Sequence, residues 1–124
     1  MRILNLTQHT ATKDQISAGV FEPSDWDKIL IVGLLTFRTL PTKNEVISSA
    51  KALCEIVRGT DAEAVMIGGA SYLTARLDVM IPLVNMIPAL HAFSVRESVE
   101  TLQPDGSVKK TQVFRHAGFV DLGE

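Results

Sequence analysis

Several residues in this sequence are of types that bind anions or transfer protons. His9 and His116 can act as general acid or base near neutral pH, so they are the candidate catalytic residues. Arg96 and Arg115 can bind a phosphate through the planar guanidinium. Gly68-Gly69 precedes a predicted helix, where backbone N–H groups can approach a phosphate. The residue types therefore predict recognition of a phosphate-bearing molecule.

The predicted strands bring most of these residues to one edge of a sheet. We predict strands over 2–6, 62–67, 89–101 and 108–120 from short apolar runs bounded by turn residues. In open α/β sheets, ligands bind outside the carboxyl ends of the parallel strands. The predicted ligand-binding residues at this edge are Asn5, Thr7, Gln8, Gly68, Gly69, Ser94, Arg96, Ser98 and Arg115.

The last two strands are expected to form an antiparallel hairpin. Pro104-Asp105-Gly106 is a strong turn signal. Pairing of Gln103 with Ser107 would place His116 opposite Ser94 and Arg115 opposite Val95. This register would bring His116 and Arg115 to the same edge as His9.

The helices begin at recognisable capping patterns. Thr12 with Gln15, and Thr42 with Glu45, form capping boxes that start two of them. In the second of these helices, one apolar face is predicted from Val46, Ala50, Leu53, Cys54 and Val57. The run 29–35 has the composition of a buried strand but the length and start signals of a helix, and we favour helix. A further helix is expected from about Tyr72, with Ser71 as its capping residue, and Pro82 is expected to kink or end it. The resulting fold class is a three-layer Rossmann-like α/β mixed sheet, mainly parallel with a C-terminal antiparallel hairpin, in a single domain over 1–124.

Composition narrows the classes of partner. The chain has 124 residues, 14 acidic and 12 basic, and a net charge of -2, so we expect no binding of extended nucleic acid. Its one cysteine fits a reducing compartment, and no apolar run is long enough to span a membrane, so we expect a cytoplasmic protein. We predict no cofactor, and no metal because the sequence shows no His/Cys cluster with ligand spacing. The glycine pair belongs to neither a Walker motif nor a G-x-G-x-x-G pattern.

Each feature also has a purely structural interpretation. The glycine pair can serve a tight turn, the loop histidines can hydrogen-bond locally, and Arg96 can pair with Glu100 or Asp105. His91, in an apolar strand, is interpreted as a satisfied sheet residue. Cys54 is interpreted as part of the core.

Segments along nearly the whole chain resemble a known group of proteins. The segments are NLTQHTAT at 5–12, PTKNEV at 41–46, MIGGASYL at 66–73, AFSVRESVE at 92–100 and VFRHAGFV at 113–120. They resemble a family of short, mostly uncharacterised bacterial and phage-associated proteins. In size and strand–loop layout the chain is also similar to small CRISPR-associated Rossmann-like proteins, including ring nucleases that bind and cleave cyclic oligoadenylates.

The second resemblance implies a mechanism and an oligomeric state. It implies a homodimer with a pocket across its two-fold axis and metal-independent phosphodiester cleavage by an aligned ribose 2′-hydroxyl. It implies that Arg96 or Arg115 stabilises the phosphate and that His9 or His116 transfers a proton.

Three hypotheses remain open from the sequence. The first is a site for a phosphate-bearing small ligand, a nucleotide or cyclic oligonucleotide, with phosphodiesterase activity left open. The second is a non-enzymatic phage or bacterial interaction module that uses the hairpin and the run 29–35. The third is that the arginines, histidines and hydroxyls have a purely structural role and only form hydrogen bonds with the backbone at strand ends and turns. A homodimer is expected, because two-fold dimers are the commonest soluble oligomers.

Overall fold

A computed structural model describes residues 1–123 and shows helices packed on one sheet. The strands are β1 (Ile3–Leu6), β2 (Val20–Phe21), β3 (Ala64–Ile67), β4 (Ala89–Leu102) and β5 (Val108–Asp121). The helices are α1 (Lys13–Ser17), α2 (Asp25–Leu35), α3 (Lys43–Arg58) and α4 (Ser71–Met80), and α4 continues into a π-helical turn over Ile81–Asn85.

The five strands form one mixed sheet in the order β2-β1-β3-β4-β5. Neighbouring strands from β2 to β4 are parallel, and β5 pairs with β4 antiparallel. The predicted fold class is therefore confirmed. Strand β2 was not predicted, because two residues are too few for a detectable alternation pattern.

The predicted register of the hairpin is confirmed in detail. The Gln103 N–H donates to the Ser107 carbonyl at 2.7 Å, and Ser94 lies opposite His116. Nearer the body of the protein, Phe93 pairs with Gly118, so β5 has one extra residue there. Such a β-bulge bends the strand and increases its twist. The outer part of the hairpin is therefore turned relative to the sheet.

Two apolar clusters lie on opposite faces of the sheet because side chains alternate along each strand. Leu4 and Leu6 belong to the larger cluster, which α2, α3, α4 and the π-helical turn cover. Ile3 belongs to a smaller cluster on the other face, where the loop before α1 contributes Ala11. The helical layer is therefore much thicker on one face than on the other.

The capping patterns set the helix starts as predicted. Both capping boxes are present, with Thr12 beginning α1 and Thr42 beginning α3. The predicted apolar face of α3 is the buried one, and it consists of Val46, Ala50, Leu53, Cys54 and Val57. The run 29–35 lies in α2, which confirms the helix interpretation.

One predicted cap differs from the structure. Ser71 was expected to cap α4, but the N-cap is Ala70, and no side chain caps this helix. The predicted effect of Pro82 is confirmed, because α4 ends at Met80 and the chain continues as a π-helical turn. Proline has no N–H to donate to a regular α-helix. Within residues 1–123, no helix is both long and apolar enough to cross a membrane.

Two glycines should respond to alanine in opposite directions. Gly19 has φ +113°, and a Cβ there would overlap the Met1 carbonyl oxygen, so Gly19→Ala should lower the free energy of unfolding by about 1–3 kcal/mol. Gly33 lies inside α2, and a Cβ there would have no neighbouring atom within 4 Å. Since alanine favours the helix more than glycine does, Gly33→Ala should raise the free energy of unfolding by about 0.5–1 kcal/mol. Urea unfolding of both variants measures this difference. Equal effects would contradict the backbone assignment at Gly19.

Candidate ligand-binding site

A cavity of about 340 Å³ opens at the carboxyl edge of the sheet, between the loops that follow β1 and β3. Its walls are residues 7–10, Thr12 and Gln15 on one side, and residues 66–69, His91 and Ala92 on the other. The chain leaves β1 toward β2 and leaves β3 toward β4, in opposite directions along the sheet. A crevice between two such strands is the usual ligand position in open α/β folds.

The loop after β1 is positioned by one buried amide, that of Asn5. The Asn5 side chain is completely buried. Its Nδ2 donates to the His9 carbonyl at 2.7 Å and to the Glu22 carboxylate at 2.8 and 2.9 Å. Its Oδ1 accepts from the Thr7 backbone N–H at 3.0 Å and from the Thr7 hydroxyl at 2.7 Å. Asn5 therefore shapes the cavity wall from behind and is not one of the residues that line it.

Two charged residues from later elements complete the support of this loop. Glu22, just after β2, also accepts from the Ala11 N–H at 3.0 Å. Lys28, on α2, donates to the Thr7 carbonyl at 2.8 Å and to the His9 carbonyl at 3.1 Å. The backbone of the loop is thus fixed, and its residues 7–10 line the cavity.

The opposite wall is a glycine turn that leads into α4. Gly69 has φ +132°, which favours glycine, and a Cβ on Gly68 would lie 3.2 Å from Cγ2 of Thr7. The first backbone N–H groups of a helix have no partner inside it, and here no side chain caps them. The lining ends at Gly69, and the positive end of the α4 dipole begins directly after it.

His91 is a cavity residue with a carboxylate partner. It lies on β4 and lines the cavity, while its Nε2 lies 2.8 and 3.0 Å from the two carboxylate oxygens of Asp78 on α4. The sequence interpretation of His91 as a satisfied sheet residue was correct about the hydrogen bond. It did not foresee that the pair stands at the cavity.

His116 and Arg115 lie in a separate groove. Together with Asp14 and Ser17 of α1 and with Val95 and Glu97 of β4, they line a depression between α1 and the hairpin. The Arg115 Nε donates to Asp14 at 3.0 Å, and the His116 ring packs on Phe119 with centroids 4.6 Å apart. The Nδ1 atom of His116 is buried and has no hydrogen-bond partner among the described residues.

The remaining predicted residues lie on the exposed hairpin. The Arg96 guanidinium lies 5.3 Å from the centre of the Phe114 ring and makes no ion pair with Glu100 or Asp105. Ser98 accepts a hydrogen bond from Gln112 at 2.7 Å. Ser94 lies opposite His116 near the bulge. None of these residues lines the cavity between β1 and β3.

The predicted residues therefore divide into groups instead of meeting at one place. The cavity contains His9, Thr7, Gln8 and the glycine pair. Sequence reasoning missed Asp78 because nothing in the chain marks a residue on α4 as the partner of one on β4. The spacing of Asp78 from Leu73 and Leu77 shows only that it adjoins the buried face of the helix.

Other reactive groups are accounted for by packing. Burial raises the pKa of the Cys54 thiol, the nearby Glu55 carboxylate raises it further, and Arg58 acts in the opposite direction. Cys54 belongs to the main apolar cluster, as predicted. Within the described residues, no three His, Cys, Asp or Glu side chains are grouped so that they could hold a metal ion.

Comparison with known proteins gives one match. A family model described as the uncharacterized protein MJ1673 family matches residues 1–120, which include the cavity and almost all of the hairpin. No curated protein and no solved structure matches the chain.

Loss of the Asn5 amide should destabilise the protein and loosen the cavity wall. Asn5→Ala removes hydrogen bonds from the Glu22 carboxylate, the Thr7 backbone N–H and the His9 carbonyl. The free energy of unfolding should therefore fall by about 2–4 kcal/mol. Gln8→Ala removes one exposed hydrogen bond to Thr36 and should change stability by less than about 0.5 kcal/mol. Denaturant unfolding of both variants tests this, and a small loss in Asn5→Ala would contradict the anchoring role.

Proposed function

The chain belongs to the uncharacterized protein MJ1673 family, and we propose that it binds a phosphate-bearing small molecule, most simply a nucleotide, in the cavity between the loops after β1 and β3. The main support is the position of this cavity. It lies at the point where the strand connections diverge, and both walls come from loops at the carboxyl ends of parallel strands.

The phosphate would lie against the glycine turn and the start of α4. Gly68 and Gly69 keep this wall free of side chains, and α4 begins without a side-chain cap. Backbone N–H groups at such a helix start bind phosphate oxygens in many nucleotide-binding folds. Thr7, Thr10 and Thr12 line the facing wall. The Thr7 hydroxyl donates to Asn5 and the Thr12 hydroxyl caps α1, so the Thr10 hydroxyl is the one of the three that could donate a hydrogen bond to the sugar or to the phosphate.

The size of the cavity suits one nucleotide. Its volume of about 340 Å³ is at the lower end of the usual range for small-molecule sites. Met66, Ile67 and Ala92 supply an apolar part that could contact a base. A cyclic oligonucleotide would need two such cavities facing each other, which is the arrangement that the resemblance to ring nucleases implies.

Metal-independent phosphodiester cleavage is the activity that we propose for such a complex. A ribose 2′-hydroxyl aligned with the neighbouring phosphate would attack phosphorus, and the 5′-oxygen would leave. His9 lines the cavity and is available for proton transfer. Arg96 and Arg115 lie outside the cavity. In this proposal the start of α4, and neither arginine, stabilises the phosphate.

A thermal-shift panel tests ligand binding. It would contain inorganic phosphate, mononucleotides, linear dinucleotides and cyclic tetra-adenylate, with EDTA present. A ligand at 100 times its Kd should stabilise the protein by about 2.7 kcal/mol. His9→Ala should reduce the shift, since His9 lines the cavity, and the exposed hairpin variant Gln112→Ala should keep it. No shift with any compound would contradict the proposed function.

A second candidate function is that of an interaction module, and the outer face of α2 favours it. Trp26 is 70% exposed and Ile29 is 67% exposed, one turn apart, and Leu30 lies beside them. Gly33 continues the same stripe and leaves open space above the helix backbone. Glycine at such a position allows another helix to approach closely. A second copy of the chain, packing α2 against α2 across a two-fold axis, fits this surface.

Replacement of one apolar residue of this stripe should prevent association. Ile29→Glu places a charge in the centre of the proposed contact, so the dimer should dissociate into monomers at micromolar concentration. Val79→Glu makes the same change at a residue of α4 that is 63% exposed, and should leave the mass unchanged. Sedimentation equilibrium measures the molecular mass of both variants in solution. A wild-type protein that is already monomeric at high concentration would contradict this candidate.

A further inference from the structure

The contact between His91 and Asp78 joins two elements at the wall of the cavity. His91 comes from β4 and Asp78 from α4, 13 residues apart in the sequence. Their side chains are 31% and 21% exposed, so the pair is largely shielded while still reached by solvent. Both carboxylate oxygens of Asp78 lie within 3.0 Å of the same ring nitrogen, Nε2. The imidazole is therefore held in one orientation.

The other ring nitrogen is free to meet a ligand. Nδ1 of His91 has no hydrogen-bond partner among the described residues. This atom is not buried, so solvent reaches it. A neutral imidazole that donates its Nε2–H to a carboxylate has its lone pair on Nδ1. His91, which lines the cavity together with His9 and the glycine turn, thus carries a proton acceptor on Nδ1.

We propose that His91 is a catalytic residue of this cavity and that Asp78 is its positioning residue. The assignment rests on the proposed function, namely cleavage of a phosphodiester beside a ribose 2′-hydroxyl. Nδ1 of His91 takes the proton of the 2′-hydroxyl as the 2′-oxygen forms its bond to phosphorus. The bond from phosphorus to the 5′-oxygen breaks, and that oxygen takes a proton from the His9 imidazolium. The products are a 2′,3′-cyclic phosphate and a 5′-hydroxyl, and both histidines then exchange protons with water.

The roles of the two residues differ in what they contact. Only His91 lines the cavity, whereas Asp78 lies behind it on α4. A carboxylate in this place selects the tautomer with hydrogen on Nε2 and stabilises the imidazolium that forms during proton transfer. Asp78 should therefore affect the rate of the chemical step and not the binding of the ligand.

The test measures binding and cleavage separately, with linear tri-adenylate and cyclic tetra-adenylate as probes in the presence of EDTA. Wild-type protein should bind and cleave at least one probe. His91→Ala and His91→Gln should bind it and cleave it at least about 100-fold more slowly, which is the usual contribution of a positioned base. Added imidazole should restore part of the activity of His91→Ala. Asp78→Asn should lower kcat with little change in KM, and Asp78→Glu should recover part of that loss.

A matched control separates this role from a loss of structure. Asp61→Asn makes the same substitution in an ion pair with Arg2, at the amino end of β3 and away from the cavity, so its kcat should be unchanged. Binding by the wild type without cleavage, or cleavage by His91→Ala at the wild-type rate, would overturn the role of His91 and leave the ligand proposal standing. Absence of binding by the wild type would overturn the proposed function itself, and the role of His91 with it.

Discussion

The hydrogen-bonding capacity of one buried amide shapes the carboxyl edge of this sheet. Asn5 is the one polar residue among the described residues that is buried within the core, and its side chain is completely enclosed. An amide in that position must satisfy both its donors and its acceptor, since a buried unpaired polar group costs about 1–3 kcal/mol. It does so with Thr7, His9 and Glu22. The loop that forms one wall of the cavity therefore has a single well-defined path, and the glycine turn after β3 faces it from a fixed distance.

The two faces of the sheet are covered unequally, and the cavity opens at the edge between them. Three helices and the π-helical turn bury one face, whereas a smaller cluster lies on the other. The edge between them stays open at the strand ends, where the loop after β1 and the glycine turn after β3 form the two walls of the cavity. The hairpin of β4 and β5 extends away from this body, and its exposed side chains, such as Phe114 at 68%, provide a surface that the core does not need. The protein therefore has an open cavity at the strand ends and, apart from it, an exposed hairpin surface.

The three histidines show how the tertiary structure separates candidates that look alike in the sequence. His9 follows a strand and reaches the cavity, as the rule for parallel strands predicts. His116 was placed correctly opposite Ser94, but the bulge and twist of the hairpin take it to the groove beside α1. His91 was interpreted as structural, yet its partner Asp78 holds it at the cavity wall. Register alone did not decide which of them would share a site.

Local patterns in the sequence determined much of the architecture. Capping boxes at Thr12 and Thr42, the apolar face of α3 and the turn at 104–106 each depend on residues close together in the chain, so their outcome could be predicted. The glycine pair and the loop after β1 were likewise placed at the edge where the cavity lies. The tertiary structure alone decided the strand order, the pairing of His91 with Asp78 and the burial of the Asn5 amide. These contacts join residues from separate elements, and their energy depends on packing, desolvation and twist, which no short segment of the chain contains.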